Sequence, residues 1–552
     1  MTDGHQDPPQ DLLSSGTAPA RAGGKRALLA VVTIGLLAAG VAGGGAYAAA
    51  RLSGGGAQPE DVLPREAFGF VKIDLDPAAG QKVAAYRFAK KFPDSGVRDQ
   101  DSLQADLVGA FLGKEHKADY DAHVAPWLGK RAGVAFLAPP AGEGDQPVVT
   151  ALGPGGDVTG LRLVARSTPS EPDVVAALQF TDREKAEVGL AGLADRVKDE
   201  GGKLRYAFAE DEDYVLLAEE QALADRAAGQ QEHLSDNPEF DEGVEALDGD
   251  QIALGWVDVG AFWQAVPEQA QAGFQGEVDV DPSGLAVFGA HVEDDAVEVV
   301  GRTVRFSAGS SPEAQGFLDT VGRGEPSGLI EQLPANSIGA FSITGLGEGL
   351  TAVYDQVGKD LESNPDVQDV LESLDVRLPE DLGALLGDET AFSIGGDLSG
   401  DAGSGALRVA TDEPERAVEL LSRARDMVAE QDSVEASRIK VGTVDGGYAA
   451  AYGLGELALG DGKLGESEVF QRTLPDVDRS SATYYVDIAR VIEQVDAFST
   501  GSTEKPGRPQ RSGKSPLTER ERANLAPLQA LGYTTTVDGD DLTFRLRLTA
   551  VE

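Results

Sequence analysis

Gly513-Lys514-Ser515 is a place where residue types alone suggest chemistry. In nucleotide-binding loops a lysine and a hydroxyl at the end of a glycine-rich turn hold phosphates and a magnesium ion. That loop needs a glycine five places before Gly513; Arg508 stands there, and no apolar strand runs into it. The stretch "STGSTEKPGRPQRSGKSPLTER", from Ser499, reads instead as a flexible insertion exposing Lys505, Arg508, Arg511 and Lys514. "TGLGEGL", from Thr344, is GxGxG rather than GxGxxG, so its glycines read as a tight strand-to-helix turn. His116, Asp119 and His123 share a helical face, but seven residues separate the histidines by about 10 Å, too far for one ion. "EVDVDPSG", from Glu277, begins like a calcium loop, yet Pro282 replaces the required glycine and Phe288 the bidentate glutamate. There is no GxSxG, no HExxH and no cysteine, which removes thiolate metal sites, disulfides and thiol nucleophiles. No catalytic, metal-ligating or cofactor-binding residue is assigned, and the chain is read as not an enzyme.

One cluster carries charge in a pattern. Lys82, Arg87, Lys90 and Lys91 lie in "DPAAGQKVAAYRFAKKF". At about 100° per residue they fall on one half of a helix, with Ala85, Phe88 and Phe92 on the other. Asp76-Pro77 supplies the cap and the proline of its first turn. Such a face suits an anionic surface, either lipid headgroups or a wall polymer; the alternatives are a solvated face or pairing with acidic residues of the other copy.

The chain as a whole is acidic: 93 Asp and Glu against 47 Lys and Arg, a net charge of −46. That repels polyanions, so nucleic acid is excluded as a partner. Ala27 to Ala50 is uncharged, about 24 residues, or roughly 36 Å as a helix. This is long enough to span a bilayer, although Ala46-Tyr47-Ala48 also has the small-x-small pattern of a cleavage site. Arg21, Lys25 and Arg26 precede the span and only Arg51 follows it closely, which puts the N-terminus in the cytoplasm and the bulk outside.

Beyond the linker the chain repeats itself. "VLPREAFGFVKIDL" from Val62 compares with "QLPANSIGAFSITGL" from Gln332, and "WLGKRAGVAFLA" from Trp127 with "LLGDETAFSIGG" from Leu385. "AALQFTDREKAEVGLAGL" compares with "GALRVATDEPERAVELLS", and the two C-terminal stretches also correspond. The shared order predicts two diverged tandem repeats. The organisation read is a tail at 1–26, a transmembrane helix at 27–50, a Gly-rich linker at 51–60, repeat 1 at 61–325 and repeat 2 at 326–552, with the basic insertion at 499–516. Strand runs such as "FGFVKIDL", "YVLLAE" and "IALGWVDV" alternate with amphipathic helices, predicting an α+β fold of mainly antiparallel sheets with helices on one face.

The stretch "DLDPAAGQKVAAYRFAKKFPD", following a single span and a Gly-rich linker, resembles the actinobacterial family catalogued as domain of unknown function 3352. The resemblance rests on Asp76, Pro77, Gln81, Lys82 and Pro93 and on the overall layout. It implies location and architecture, and no activity, substrate or cofactor. The expectation is a single-pass, membrane-anchored, extracytoplasmic binding or scaffold protein of the cell envelope, with an envelope protein or wall polymer as partner. The alternatives are a carrier of a small or lipidic ligand, and a hydrolase of envelope polymers using paired carboxylates.

Overall fold

The computed structural model describes residues 56–74, 79–95, 120–138, 172–199, 204–247, 251–265, 281–307, 320–352, 354, 365–397, 402–454, 462–500, 517–539 and 541–551. The predicted transmembrane helix, the core of the basic insertion, His116, Asp119 and the start of "EVDVDPSG" lie outside these residues. Among the described residues no helix is long and apolar enough to cross a membrane.

The first half contributes β1 (Gly69–Asp74), β2 (Leu128–Leu137), β3 (Asp173–Phe180), β4 (Arg205–Phe208), β5 (Tyr214–Ala218), β6 (Ala253–Asp258), β7 (Ser283–Val292) and β8 (Ala296–Ser307). Its helices are α1 (Ala79–Lys90), α2 (Arg183–Asp199), α3 (Gln221–Gly229), α4 (Pro238–Glu245) and α5 (Val259–Ala265). The second half contributes β9 (Ser337–Thr344), β10 (Glu389–Asp397), β11 (Ala402–Ala410), β12 (Ile439–Val444), β13 (Gly447–Tyr452), β14 (Ala482–Asp487), β15 (Leu528–Asp538) and β16 (Asp541–Ala550). With them go α6 (Pro365–Leu374), α7 (Glu380–Leu386), α8 (Pro414–Gln431), α9 (Ser433–Ser437), α10 (Glu468–Thr473), α11 (Ile488–Thr500) and α12 (Glu519–Leu525).

All sixteen strands form one sheet, in the order 12-13-11-10-9-14-15-16-8-7-6-1-2-3-5-4, and every pairing given by the ladder is antiparallel. Read outward from the β8–β16 junction, the first half runs 8-7-6-1-2-3-5-4 and the second 16-15-14-9-10-11-13-12. The second order is the first with eight added to each strand.

Side-chain contacts repeat with the strands. The Leu234 N–H donates to the Leu63 carbonyl at 2.9 Å, and the Leu464 N–H to the Leu333 carbonyl at 3.0 Å. Phe240 on α4 meets Trp256 on β6 edge-on at 5.6 Å, and Phe470 on α10 meets Tyr485 on β14 at 5.1 Å. α4 starts after Asn237, whose side chain accepts from the Glu239 N–H; α10 starts after Ser467, which accepts from the Phe470 N–H.

Helices pack on both faces of the sheet, not on one as the sequence pattern predicts. The short 3-10 turns at Pro59–Asp61 and Leu329–Gln332, with α3, α4 and α10, cover what we call the turn face, carrying Phe70, Trp256, Ala340 and Tyr485. α1, α2, α7 and α8 cover parts of the opposite helix face, against Val292, Val134 and Val409. The physical reason is that both faces of the central strands are apolar, so neither can be left wholly to water.

Candidate binding surface

α1 carries Lys82, Arg87 and Lys90 of the sequence prediction, with Lys91 just past its end, but does not gather the four into one free patch. Its apolar side, Ala84 and Phe88, packs on Val292, Val297 and Ala550, over the junction of the halves. Arg87 forms an ion pair with Asp294 in the β7–β8 turn at 2.5 Å, a partner in its own half and not in the other copy as the sequence reading allows. Lys91 donates to the Val551 carbonyl, and the Lys90 ammonium lies 5.5 Å from the Tyr86 ring centre. Lys82 is half-buried. Just beyond the helix, Asp94 accepts from Arg520 at 2.5 and 2.9 Å and from the Asn524 amide at 2.8 Å, both on α12. The acidic run Glu293-Asp294-Asp295 was the sequence signal for the Arg87 contact.

Buried charge occurs mostly on the turn face. Lys72, central in β1, donates to Glu60 at 2.7 Å and to Gln58 at 3.3 Å from the first 3-10 turn. Burial pushes its amine down to about 8, with the Glu60 carboxylate opposing the shift. An amine with that affinity is a capable nucleophile when substrate can reach it. Here the adjoining cavity, lined by Gln58, Arg131, Asp74 and Gln251, is about 10 Å³, room for one water and nothing larger. The group is structural.

A second tie shows the two halves solving one problem with opposite charges. Arg131 at the start of β2 donates to the Ala57 carbonyl at 3.1 Å. At the matching place on β10, Glu389 accepts from the Ser327 N–H at 2.5 Å and from its hydroxyl at 2.6 Å. Across the junction, Arg547 on β16 donates to Glu298 on β8 at 2.9 Å and to Glu293 at 2.5 Å, and Arg545 donates to Glu298 at 2.7 Å. The Arg547 hydrogen bond is the main cause holding the Glu293 carboxyl below its usual range.

The helix face of the second half is different. Strand alternation puts Phe341 and Ile343 (β9), Phe392 and Ile394 (β10), Tyr484 and Val486 (β14), Tyr533 (β15) and Phe544 and Leu546 (β16) on it. The register sets Phe392, Phe341, Tyr484, Tyr533 and Leu546 in one cross-strand row. Ring centres are 4.6 Å apart for Phe341–Tyr484, 5.7 Å for Tyr484–Tyr533 and 6.3 Å for Tyr533–Phe544. Phe392 remains 45% exposed and Tyr484 47%, while their strand neighbours on the turn face, Ala391 and Tyr485, are buried. None of the paired helix-face positions of these five strands is charged, in a protein that is 25% charged.

In the first half the same places hold Val134, Val71 and Gly255. The gap over Gly255 is filled by Phe288, whose ring would touch any Cβ added there. The aromatic row is therefore a property of the second half. Sequence reading missed it, although "AFS" in β9, "AFS" in β10 and "TYYV" in β14 set a large side chain on that face each time.

The remaining sequence candidates resolve as structure where they are described. Gly345 of "TGLGEGL" has φ +71°, and an added Cβ would sit 2.2 Å from the Thr320 carbonyl oxygen, so the glycine serves the turn. His123 packs its ring on Gly192 of α2 and its carbonyl accepts from the Trp127 indole. Among the described residues no three His, Cys, Asp or Glu side chains are grouped to hold a metal.

The model of the family described as "Protein of unknown function (DUF3352)" matches residues 30–446. The chain belongs to this family. No curated protein matches the chain. One solved structure, titled "Structure of crystal form III of TP0453", is similar at 8% identity over 48% of this chain and 85% of that one, with a TM-score of 0.23. At that score the likeness carries no argument about fold or function.

Proposed function

We propose that this DUF3352 chain is a non-enzymatic binding protein of an actinobacterial cell envelope, built from two diverged copies of an eight-stranded unit. Residues 27–50 anchor it as a single span, the N-terminal tail is cytoplasmic and the remainder extracytoplasmic. The duplication reading is supported by the repeated strand order and by the matched contacts of Leu63 with Leu234 and of Leu333 with Leu464. The basic side of α1 is proposed as a junction clasp first, and Lys82, Arg87, Lys90 and Lys91 as contacts for an anionic wall polymer or headgroup second.

The observation that carries the binding reading is the uncharged, largely aromatic row of the second half, exposed at Phe392, Tyr484 and Leu546 and half-buried at Phe341 and Tyr533, on an otherwise strongly acidic protein. Large exposed apolar patches on soluble surfaces mark interaction sites. The test is native mass spectrometry of the full-length protein, gently extracted from its own membranes. The expected result is a retained N-terminus of intact mass together with a bound ligand or co-purifying partner. A purified ectodomain that hydrolyses an envelope polymer, and loses this on changing one carboxylate, would overturn the reading.

A further inference from the structure

We infer that the helix face of β9, β10, β14, β15 and β16 binds the acyl chains of a phospholipid drawn from the membrane. The inference rests on the envelope binding reading above and names its ligand and its site.

Three features select this occupant. First, the face offers no charge and few hydrogen-bonding groups, so what covers it must be apolar and uncharged along its contact length. Phe392, Phe341, Tyr484, Tyr533 and Leu546 span five strands; at about 4.8 Å per strand the row is roughly 19 Å long. A single lipid chain reaches about 15 Å, half of a hydrocarbon core of about 30 Å. Second, charge argues against a second copy of the chain: each copy carries −46, and stacking two such faces brings two acidic rims together. An extended peptide is no better, because strands add to the edges of a sheet and find no backbone partners on its face. Third, a membrane supply is within reach of the tether: only residues 51–55 separate the proposed span from Gly56, which at about 3.5 Å per residue lies within roughly 20 Å of the bilayer, beside Arg131 of β2 and in the other half from the row.

The row also has a graded chemistry. Tyr484 and Tyr533 carry hydroxyls among the rings of Phe341, Phe392 and Phe544, a mix that lets one end of each ring stay wet while its body covers an acyl chain.

The test uses the full chain reconstituted in vesicles of phosphatidylcholine and phosphatidylglycerol containing a phosphatidylcholine with a photoactivatable group in its acyl chain. After irradiation, labelled peptides are mapped by mass spectrometry. Labels are expected in the peptides carrying Phe341, Phe392, Tyr484 and Leu546, as well as in residues 27–50. Phe392→Glu with Tyr484→Glu should lower labelling of the sheet by about tenfold or more, the loss of roughly 1.4 kcal/mol of affinity. Ile394→Glu alone should lower it in the same direction. Val188→Glu, which changes a 75% exposed valine on α2, should leave it unchanged. Equal melting temperatures for the variants and the parent confirm that the sheet is intact.

Sheet labelling that persists in both face variants overturns the inference. So does labelling confined to residues 27–50, which leaves the anchored binding reading standing with a protein or polymer ligand. Failure of that reading looks different: no label in residues 27–50 at all.

Discussion

Lys72 is a lysine on the sealed side of a central strand, two residues along from Phe70 and facing the same way. Strand alternation from "FVKID" puts the charge on the apolar face, but nothing local in the sequence announces that Glu60, twelve residues back, would meet it. The pair offsets the cost of taking either charge out of water, and removing one member leaves the other stranded. Glu60→Gln is therefore expected to destabilise by about 3–5 kcal/mol, and Lys72→Met with Glu60→Leu to recover most of that loss. The amine also predicts a pH effect with a definite sign. In the folded protein it releases its proton near 8, whereas in the unfolded chain it does so at 10.5. Between those values the unfolded chain binds more protons, so stability rises with pH through the window and is flat, at its lower level, below it. Urea midpoints of the parent and of the apolar double variant, followed from about pH 7 to about pH 10, should converge or cross only through the parent's rise. A parent whose midpoint falls relative to the variant across that window would contradict the assignment.

Elements were legible where one signal decided them. Alternation locates β1, β5 and β6; Thr-Asp starts locate α2 and α8; the glycines after β9 mark a turn, and Gly345 makes one. The layer assignment failed for a physical reason. In "ETAFSIG", Ala391 and Ser393 are small and sealed while Phe392 and Ile394 are large and exposed, so alternation in size mimics an outward polar face without being one. The aromatic row is hidden by the same alternation, since its members come from strands far apart in sequence and only the register aligns them. Close backbone approach at element ends is a further property that spacing does not reveal. Gly387 ends α7 and starts the turn into β10 with φ +56°, and an added Cβ would lie 1.9 Å from the Ala410 carbonyl oxygen. Gly387→Ala must therefore displace backbone of β11 as well as adopt a left-handed conformation, and a loss of about 2–3 kcal/mol is expected. Thermal unfolding checks this, with Gly446→Ala as comparison: it has φ +73° but nothing within 4 Å of an added Cβ. Equal losses at the two sites would show that conformation alone, and not the crowding against β11, sets the cost.

The junction makes one molecule of two halves. Through the ladders, Trp256 faces Val287 and Val287 faces Arg302; in the second half Tyr485 faces Gly532 and Gly532 faces Arg547. Arg302 and Arg547 thus hold matching places, as do Val300 and Arg545. Val300 and Arg545 are also paired with each other across β8 and β16, so a local two-fold axis passes between them. This is the pairing of a symmetric dimer's edge strands, made here within a single chain. The charges on the two strands differ, so that Arg545 and Arg547 of one half meet Glu298 and Glu293 of the other. Each half has separate apolar cores on its turn face and its helix face, so cooperation between them depends on this seam and on α1 lying across it. The three tryptophans, Trp127, Trp256 and Trp263, all belong to the first half. Tryptophan fluorescence therefore follows that half alone, while far-ultraviolet circular dichroism follows both. In the parent the two signals should unfold together in urea, as one cooperative unit. Arg547→Met leaves Glu298, buried between the strands, facing one arginine instead of two, and is expected to cost about 3 kcal/mol at the seam. The halves should then uncouple, with the dichroism transition splitting and only one of its steps coinciding with the fluorescence. Coincident transitions in Arg547→Met at an unchanged midpoint would mean that the backbone ladder of β8 and β16, with α1, holds the halves together without the buried charges.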